Sequence, residues 1–102
     1  MIYVIATVEG VSGKRQQFLE EFGRLVPEVL AEQGCLFYGP TVDTPSGLPR
    51  QIPLRDNTVT IMESWESLAA LQAHIVAPHM TVYRERVQDL VLGVQLQVLA
   101  PQ

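Results

Sequence analysis

The sequence predicts an α+β fold in which a four-stranded antiparallel sheet carries helices on one face. Three observations support this prediction. Several segments alternate apolar and polar residues as half-buried strands do. Two longer stretches repeat apolar residues at helical spacing. The chain has 102 residues, which suits a single domain, residues 1–102, with a core of its own.

Four segments have the composition of strands. They are Ile2–Glu9, Cys35–Val42, Thr58–Trp65 and Leu90–Leu99. In the first strand Tyr3 and Ile5 make the second face partly apolar, so both faces require cover. Gly39 and Pro40 predict a bulge or the end of regular pairing in the second strand.

The helices are predicted from their caps and their apolar spacing. The first follows the turn at residues 10–13, with Ser12 as a possible N-cap, and ends at Gly34. Pro27 lies inside it and should kink or reset it. The second helix starts from Ser67, with Leu68, Ala69 and Leu71 on its apolar side, and Pro78 suits the first turn of a third.

Between the second and third strands, residues 43–57 form a stretch with three prolines and several polar residues. This composition predicts a long irregular loop. Two alternatives stay open for it, a disordered hairpin tip and a flap over a pocket.

The resulting order is β-α-β-β-α-(α)-β, which is the ferredoxin-like order. Helices on one face leave the other face of the sheet uncovered. The exposed patch would contain Tyr3, Ile5, Phe37 or Leu36, and either Trp65 or Met62. Apolar patches of this kind mark partner surfaces. We therefore expect a symmetric homodimer packed sheet to sheet.

Composition argues against several classes of protein. The net charge of −4 disfavours nucleic acid and anionic membranes as partners. No run of about 18 apolar residues suggests a membrane span. The N-terminal segment lacks a basic leader and has the pattern of a strand. The single cysteine, Cys35, favours a reducing cytoplasm and an inert buried thiol.

The candidate chemistry is concentrated between Thr58 and Tyr83. His74, near the end of the second helix, is either a structural group or a general base. Trp65, the only tryptophan, is either a core residue or a flat wall for an aromatic ligand. His79 is a candidate substrate contact, with a structural role as its alternative.

Bound cofactors are not expected. His74 and His79 are five positions apart, whereas zinc pairs on one helix are spaced i, i+4 and need further ligands. The sequence contains neither a glycine-rich phosphate loop nor a dinucleotide-binding fingerprint. We therefore expect no metal, flavin or nicotinamide.

The segment from Glu63 to His74, ESWESLAALQAH, followed by Pro78 and His79, resembles the antibiotic biosynthesis monooxygenase family. The shared pattern is a strand ending in Glu-x-Trp, a short Ser-capped helix and a later His. The resemblance covers most of the chain. It implies a dimeric α+β barrel formed by two ferredoxin-like sheets.

The same resemblance implies a reaction. It is the oxygenation of a quinol, phenol or polycyclic aromatic by O₂, without metal or bound organic cofactor, because the substrate itself is the reductant. Trp65 would then be a wall of the pocket and His74 the base, while Tyr83 and Arg84 would orient an oxygen. Haem degradation, found in relatives of this fold, is disfavoured because the strand-one position near Thr7 lacks their Asn. The alternative function is a non-enzymatic dimeric barrel that binds a small apolar ligand or a partner.

Overall fold

The computed structural model describes residues 1–102, which form four strands and three helices. The elements are β1 (Ile2–Gly10), α1 (Arg15–Leu30), β2 (Cys35–Thr41), β3 (Thr58–Trp65), α2 (Leu68–Ile75), α3 (Pro78–Val87) and β4 (Val91–Leu99). The strands form one antiparallel sheet in the order β2-β3-β1-β4. The predicted α+β, ferredoxin-like fold class is confirmed.

The core lies between the helices and one face of the sheet. On β1 this face carries Val4, Ala6 and Val8, all of them buried, because alternate residues of a strand point to the same side. The four buried residues of α1 recur at helical spacing and pack in the same core; they are Phe18, Phe22, Leu25 and Val29. The sequence pattern therefore predicts the buried side of both elements.

The start and interior of α1 differ from the sequence prediction. Lys14 occupies the N-cap position and no side chain caps the helix, so Ser12 does not have its predicted role. Pro27 neither ends nor restarts the helix, which continues to Leu30. Pro27 removes only its own N–H donor, and its carbonyl still accepts a hydrogen bond from the N–H of Ala31.

The strand β2 contains its irregularity in a different place from the one predicted. Gly39 and Pro40 pair regularly with Met62 and Ile61 of β3. The register shift lies instead between Cys35 and Phe37. Because β2 is at the edge of the sheet, the missing N–H of Pro40 can face away from β3 at little cost.

The loop between β2 and β3 is irregular, as predicted, and is fixed at its base. Arg55 makes two charged hydrogen bonds to the carboxylate of Asp43, of 2.9 and 2.8 Å. These bonds lower the pKa of Asp43 to about 2. Arg15, at the start of α1, donates to the backbone carbonyl of Arg55. The ends of the loop are therefore held together and against α1.

No helix covers the second face of the sheet, which we call the back face. Its exposed apolar side chains are Tyr3, Phe37, Met62 and Leu99. The sequence predicts either Trp65 or Met62 in this exposed patch. Met62 is the one that lies there, because Trp65 points to the helix side and is fully buried. None of the three helices is both long and apolar enough to span a membrane.

Candidate active site

A cleft of about 510 Å³ lies between the helix side of the sheet and the α2–α3 pair. Its floor is formed by β1 and β3, and its wall by residues of α2 and α3. On β4, Val94 and Leu96 border the cleft and are about half exposed, because the helices stop short of this edge strand. Most lining residues are apolar, and the volume suits a small organic ligand.

His74 reaches this cleft from the last turn of α2. Ser67 begins that helix, and its hydroxyl accepts a hydrogen bond from the N–H of Ala70 as predicted. The imidazole packs on the indole of Trp65, with ring centroids 4.8 Å apart, and against the edge of Tyr38. Only 2% of His74 is exposed, so its ring is held in one orientation.

Glu32, just beyond the end of α1, determines which nitrogen of His74 carries a proton. Its Oε2 lies 2.9 Å from Nδ1 of His74. A carboxylate accepts hydrogen bonds, so Nδ1 is the donor and Nε2 of the neutral ring is an acceptor. Nε2 has no partner in the protein and is not sealed from the cleft. This arrangement suits a proton acceptor.

The same carboxylate oxygen of Glu32 also contacts the second histidine. Nε2 of His79 lies 2.7 Å from Oε2 of Glu32. His79 therefore stands behind His74, on the side away from the cleft, and does not line the cleft. It borders a smaller surface pocket of about 160 Å³ beside α1. Its placement does not match the predicted substrate contact.

Glu63 is a second ionisable group in the cleft. It lies on the helix side of β3, and Oε1 accepts a hydrogen bond of 3.0 Å from the indole N–H of Trp65. Burial raises the pKa of Glu63, the Trp65 hydrogen bond opposes this rise, and the charge of Glu32 adds to it. Glu63 is thus a buried carboxyl group with a raised pKa inside an apolar site, which makes it a candidate functional group.

Two tyrosines and an arginine complete the polar part of the cleft. Tyr38 of β2 and Tyr83 of α3 line it, and burial raises the pKa of both phenols. Both hydroxyls therefore stay protonated and can donate hydrogen bonds. Arg84 also lines the cleft, and its Nη2 donates to the carbonyl of Ile75 at the end of α2. Tyr83 and Arg84 therefore lie at the cleft, and their role in orienting an oxygen stays a prediction.

Trp65 supports the site from behind. It is completely buried and is not part of the lining, so it cannot present a flat wall to a ligand. Its indole instead contacts His74 and donates to Glu63, which fixes both groups. No residue of the loop at 43–57 lines the cleft within the chain.

Sequence reasoning missed three residues of the site, Glu32, Glu63 and Tyr38. Glu63 gave a usable signal, because it is a carboxylate on the apolar face of a strand. Tyr38 gave a weaker one, as an aromatic residue on a short edge strand. Glu32 gave none: it is 42 positions from His74 and has the appearance of a solvated helix charge.

An open apolar cleft with a free imidazole nitrogen, on a ferredoxin-like sheet, is typical of proteins that bind and transform small organic molecules. The antibiotic biosynthesis monooxygenase family model matches residues 1–86, and the chain belongs to this family. The chain is 42% identical to the probable quinol monooxygenase YgiN of Escherichia coli K12, and the match covers 99% of this chain and 98% of that protein. These likenesses support a monooxygenase-like role.

Solved structures confirm the fold. PA3566 from Pseudomonas aeruginosa superposes with a TM-score of 0.80 at 24% identity, covering 99% of this chain and 93% of that one. A conserved protein from Methanosarcina mazei Go1 has a TM-score of 0.82 at 20% identity, with 99% and 92% covered. At these identities the comparison concerns architecture alone.

Proposed function

We propose that the chain is a monooxygenase that uses O₂ to oxidise a quinol or related phenol in the cleft, without a bound cofactor. The observation that carries the proposal is the orientation of His74. Glu32 holds Nδ1, which leaves Nε2 as a free acceptor at an apolar cleft. The family and the likeness to YgiN, a probable quinol monooxygenase, support the same class of substrate.

The first step of the proposed reaction is proton removal. A phenolic hydroxyl placed at Nε2 of His74 gives its proton to the ring, and the imidazolium that forms is stabilised by the carboxylate of Glu32. The resulting phenolate is more electron-rich than the phenol. Tyr38, Tyr83 and Arg84 offer donors to its oxygen. The apolar lining strengthens these interactions by limiting water.

The second step transfers electrons from the substrate to O₂. One oxygen atom forms a bond to a ring carbon, and the other leaves as water. Hydroxylation of one C–H and oxidation of the quinol to the quinone supply the four electrons that O₂ takes up. The product is a hydroxyquinone, and the balance requires no other reductant. Glu63 lies in the cleft where it can deliver a proton to the departing oxygen.

The proposal includes a homodimer formed through the back face of the sheet. That face is apolar at Tyr3, Phe37, Met62 and Leu99, and no element of the chain covers it. Burial against the same face of a second copy would remove these side chains from water. We also place the protein in the cytoplasm, where its unpaired thiol at Cys35 would remain reduced.

The test is oxygen consumption with a panel of hydroquinones and naphthoquinols. We expect turnover by the wild type, a loss of about 10²–10⁴-fold in His74→Ala, and a smaller loss in Glu32→Gln. Arg86→Gln is the matched control, because Arg86 is exposed on α3 and lies outside the cleft. Circular dichroism confirms that each variant is folded.

Two outcomes would contradict the proposal. Turnover that survives in His74→Ala would remove the imidazole from the reaction. Absence of oxygen uptake with every substrate, from folded protein that binds quinols, would favour the alternative of a ligand-binding module. Equilibrium dialysis with the same quinols separates this alternative from a protein that does not bind them.

A further inference from the structure

A cluster of one carboxylate and two imidazoles lies behind the cleft, formed by Glu32, His74 and His79. Orienting His74 requires only Glu32, so the second histidine has no role in that task. A single carboxylate oxygen contacts one nitrogen of each ring, at 2.9 and 2.7 Å. The three possible ligand atoms lie within 4.8 Å of one another. His74 and Glu32 are largely buried, and His79 is partly exposed at the surface. We propose that these residues form a binding site for Zn²⁺ or a similar first-row divalent cation.

The cluster has the donor atoms of a zinc site and needs a local rearrangement to hold the ion. Zn²⁺ lies about 2.0–2.2 Å from imidazole nitrogen and carboxylate oxygen, so its ligand atoms are roughly 3.0–3.5 Å apart. The two distances to Oε2 of Glu32, 2.9 and 2.7 Å, are slightly shorter than this, whereas the three atoms as a set spread over up to 4.8 Å, which is too wide for one ion. Zinc binding therefore requires the ring of His79, the most exposed of the three, to turn toward His74 while the carboxylate of Glu32 moves back. Two histidines and one carboxylate are also an established protein donor set for zinc.

The electrostatic environment also favours a cation. Burial raises the pKa of Cys35 and the charges of Glu32 and Glu63 add to the rise; burial likewise raises the pKa of Glu63, with a smaller addition from Glu32. Neither carboxylate has an arginine or lysine within ion-pair distance. Negative charge therefore accumulates in a poorly solvated region without a fixed positive partner. A bound divalent ion would offset it.

The site has a route from solvent that does not pass through the cleft. His79 borders the smaller pocket beside α1, whereas Nε2 of His74 faces the cleft on the other side. An ion would enter at His79 and bind Nδ1 of His74 from behind. A water molecule could occupy its remaining coordination position.

Binding would change the proton on the cleft side of His74. The ion requires Nδ1 to be unprotonated, so the neutral ring would carry its proton on Nε2. Nε2 would then be a donor instead of an acceptor. This consequence rests on the proposed function: a chain that holds the ion would lack its proton acceptor and would be inhibited.

The binding test is calorimetric titration of EDTA-treated protein with Zn²⁺, with Co²⁺ absorption as a spectroscopic readout of coordination. We expect one ion per chain. Loss of a direct ligand should weaken binding by more than about 100-fold in His79→Ala and Glu32→Gln, because even outer-shell changes cost 10–100-fold. Glu20→Gln is the matched control and should bind as the wild type does, because Glu20 is an exposed carboxylate of α1 that lines neither pocket.

The outcomes separate this site from the oxidation reaction. Absence of saturable binding, or equal binding by His79→Ala and Glu20→Gln, would overturn the proposal. His79→Gln provides a second variant if His79→Ala fails to fold. Where oxygen uptake is measurable, Zn²⁺ should inhibit the wild type and leave His79→Ala active; inhibition that persists in His79→Ala would overturn the regulatory role. Where no uptake is seen in any variant, the proposed function fails and calorimetry alone decides the metal site.

Discussion

At the scale of single residues, Glu63 has an environment that makes stability depend on pH. Burial raises its pKa in the folded chain above the ordinary value of about 4.3. The folded state therefore holds this proton more tightly than the unfolded state does. The resulting stabilisation is fully present below the unfolded pKa and is lost as the pH rises through the folded pKa. Tyr38, Tyr83, His74 and Arg84 line the same cleft.

We expect Glu63→Gln to remove this dependence. Glutamine stays neutral and its oxygen can still accept the Trp65 hydrogen bond. As the pH rises from 4 to 7, the melting temperature of the variant should increase relative to that of the wild type. The corresponding difference in the free energy of unfolding is on the order of 1 kcal/mol. Thermal melts at fixed protein concentration measure this difference. A constant difference across that pH range would show that Glu63 is not perturbed by burial.

The residues of the site differ in how far sequence could predict them. His74 was predictable because its position in the last turn of a capped helix follows from local spacing. Glu32 was not, because its role depends on where the end of α1 lies relative to α2 and α3. That position is set by the packing of α1 on the sheet, which no local pattern records. Trp65 was identified from the sequence as a candidate site residue, but only the structure shows that it lies behind the cleft and not in its wall.

At the scale of elements, the N-cap of α2 connects stability to the site. The hydroxyl of Ser67 accepts the N–H of Ala70 at 3.1 Å, and the same helix carries His74. Ser67→Ala should lower the free energy of unfolding by about 1 kcal/mol. For a domain of this size the melting temperature should fall by roughly 4–8 °C. Thermal denaturation followed by circular dichroism measures the change.

The chain supplies its own control for this experiment. Ser12 precedes α1 as Ser67 precedes α2, yet no side chain caps α1. Ser12→Ala should therefore leave the melting temperature unchanged. Equal effects of the two substitutions would mean that the Ser67 hydrogen bond contributes nothing specific to α2.

The elements themselves were largely predictable from periodicity, and their irregularities were not. The alternation of apolar and polar residues predicted the bounds of β1 and β3 to within one residue, because each strand has one buried face. The bulge in β2 was wrongly assigned to Gly39 and Pro40. An edge strand tolerates both residues, and the true shift beside Leu36 follows from how β2 meets β3.

At the scale of the whole molecule, two apolar surfaces have different causes. The cleft is open because α2 and α3 leave β4 uncovered on the helix side. The back face is open because every helix lies on the opposite side of the sheet. Its central residues, Ile5 and Met62, are paired across β1 and β3, and Met62 remains 37% exposed. The sequence predicted this face because β1 is apolar on both sides.

A substitution on the back face tests the proposed homodimer. Met62→Glu places a charge at the centre of the sheet, and in a symmetric dimer two such charges would lie close together. We expect wild-type protein to sediment as a dimer and Met62→Glu to sediment as a monomer, or to melt at a temperature that depends on concentration. Leu48→Glu is the matched control, since Leu48 is an exposed apolar residue of the loop between β2 and β3. A monomeric wild type would show that the chain does not form the proposed dimer. A dimer that Met62→Glu leaves intact while Leu48→Glu disrupts it would place the self-association surface elsewhere.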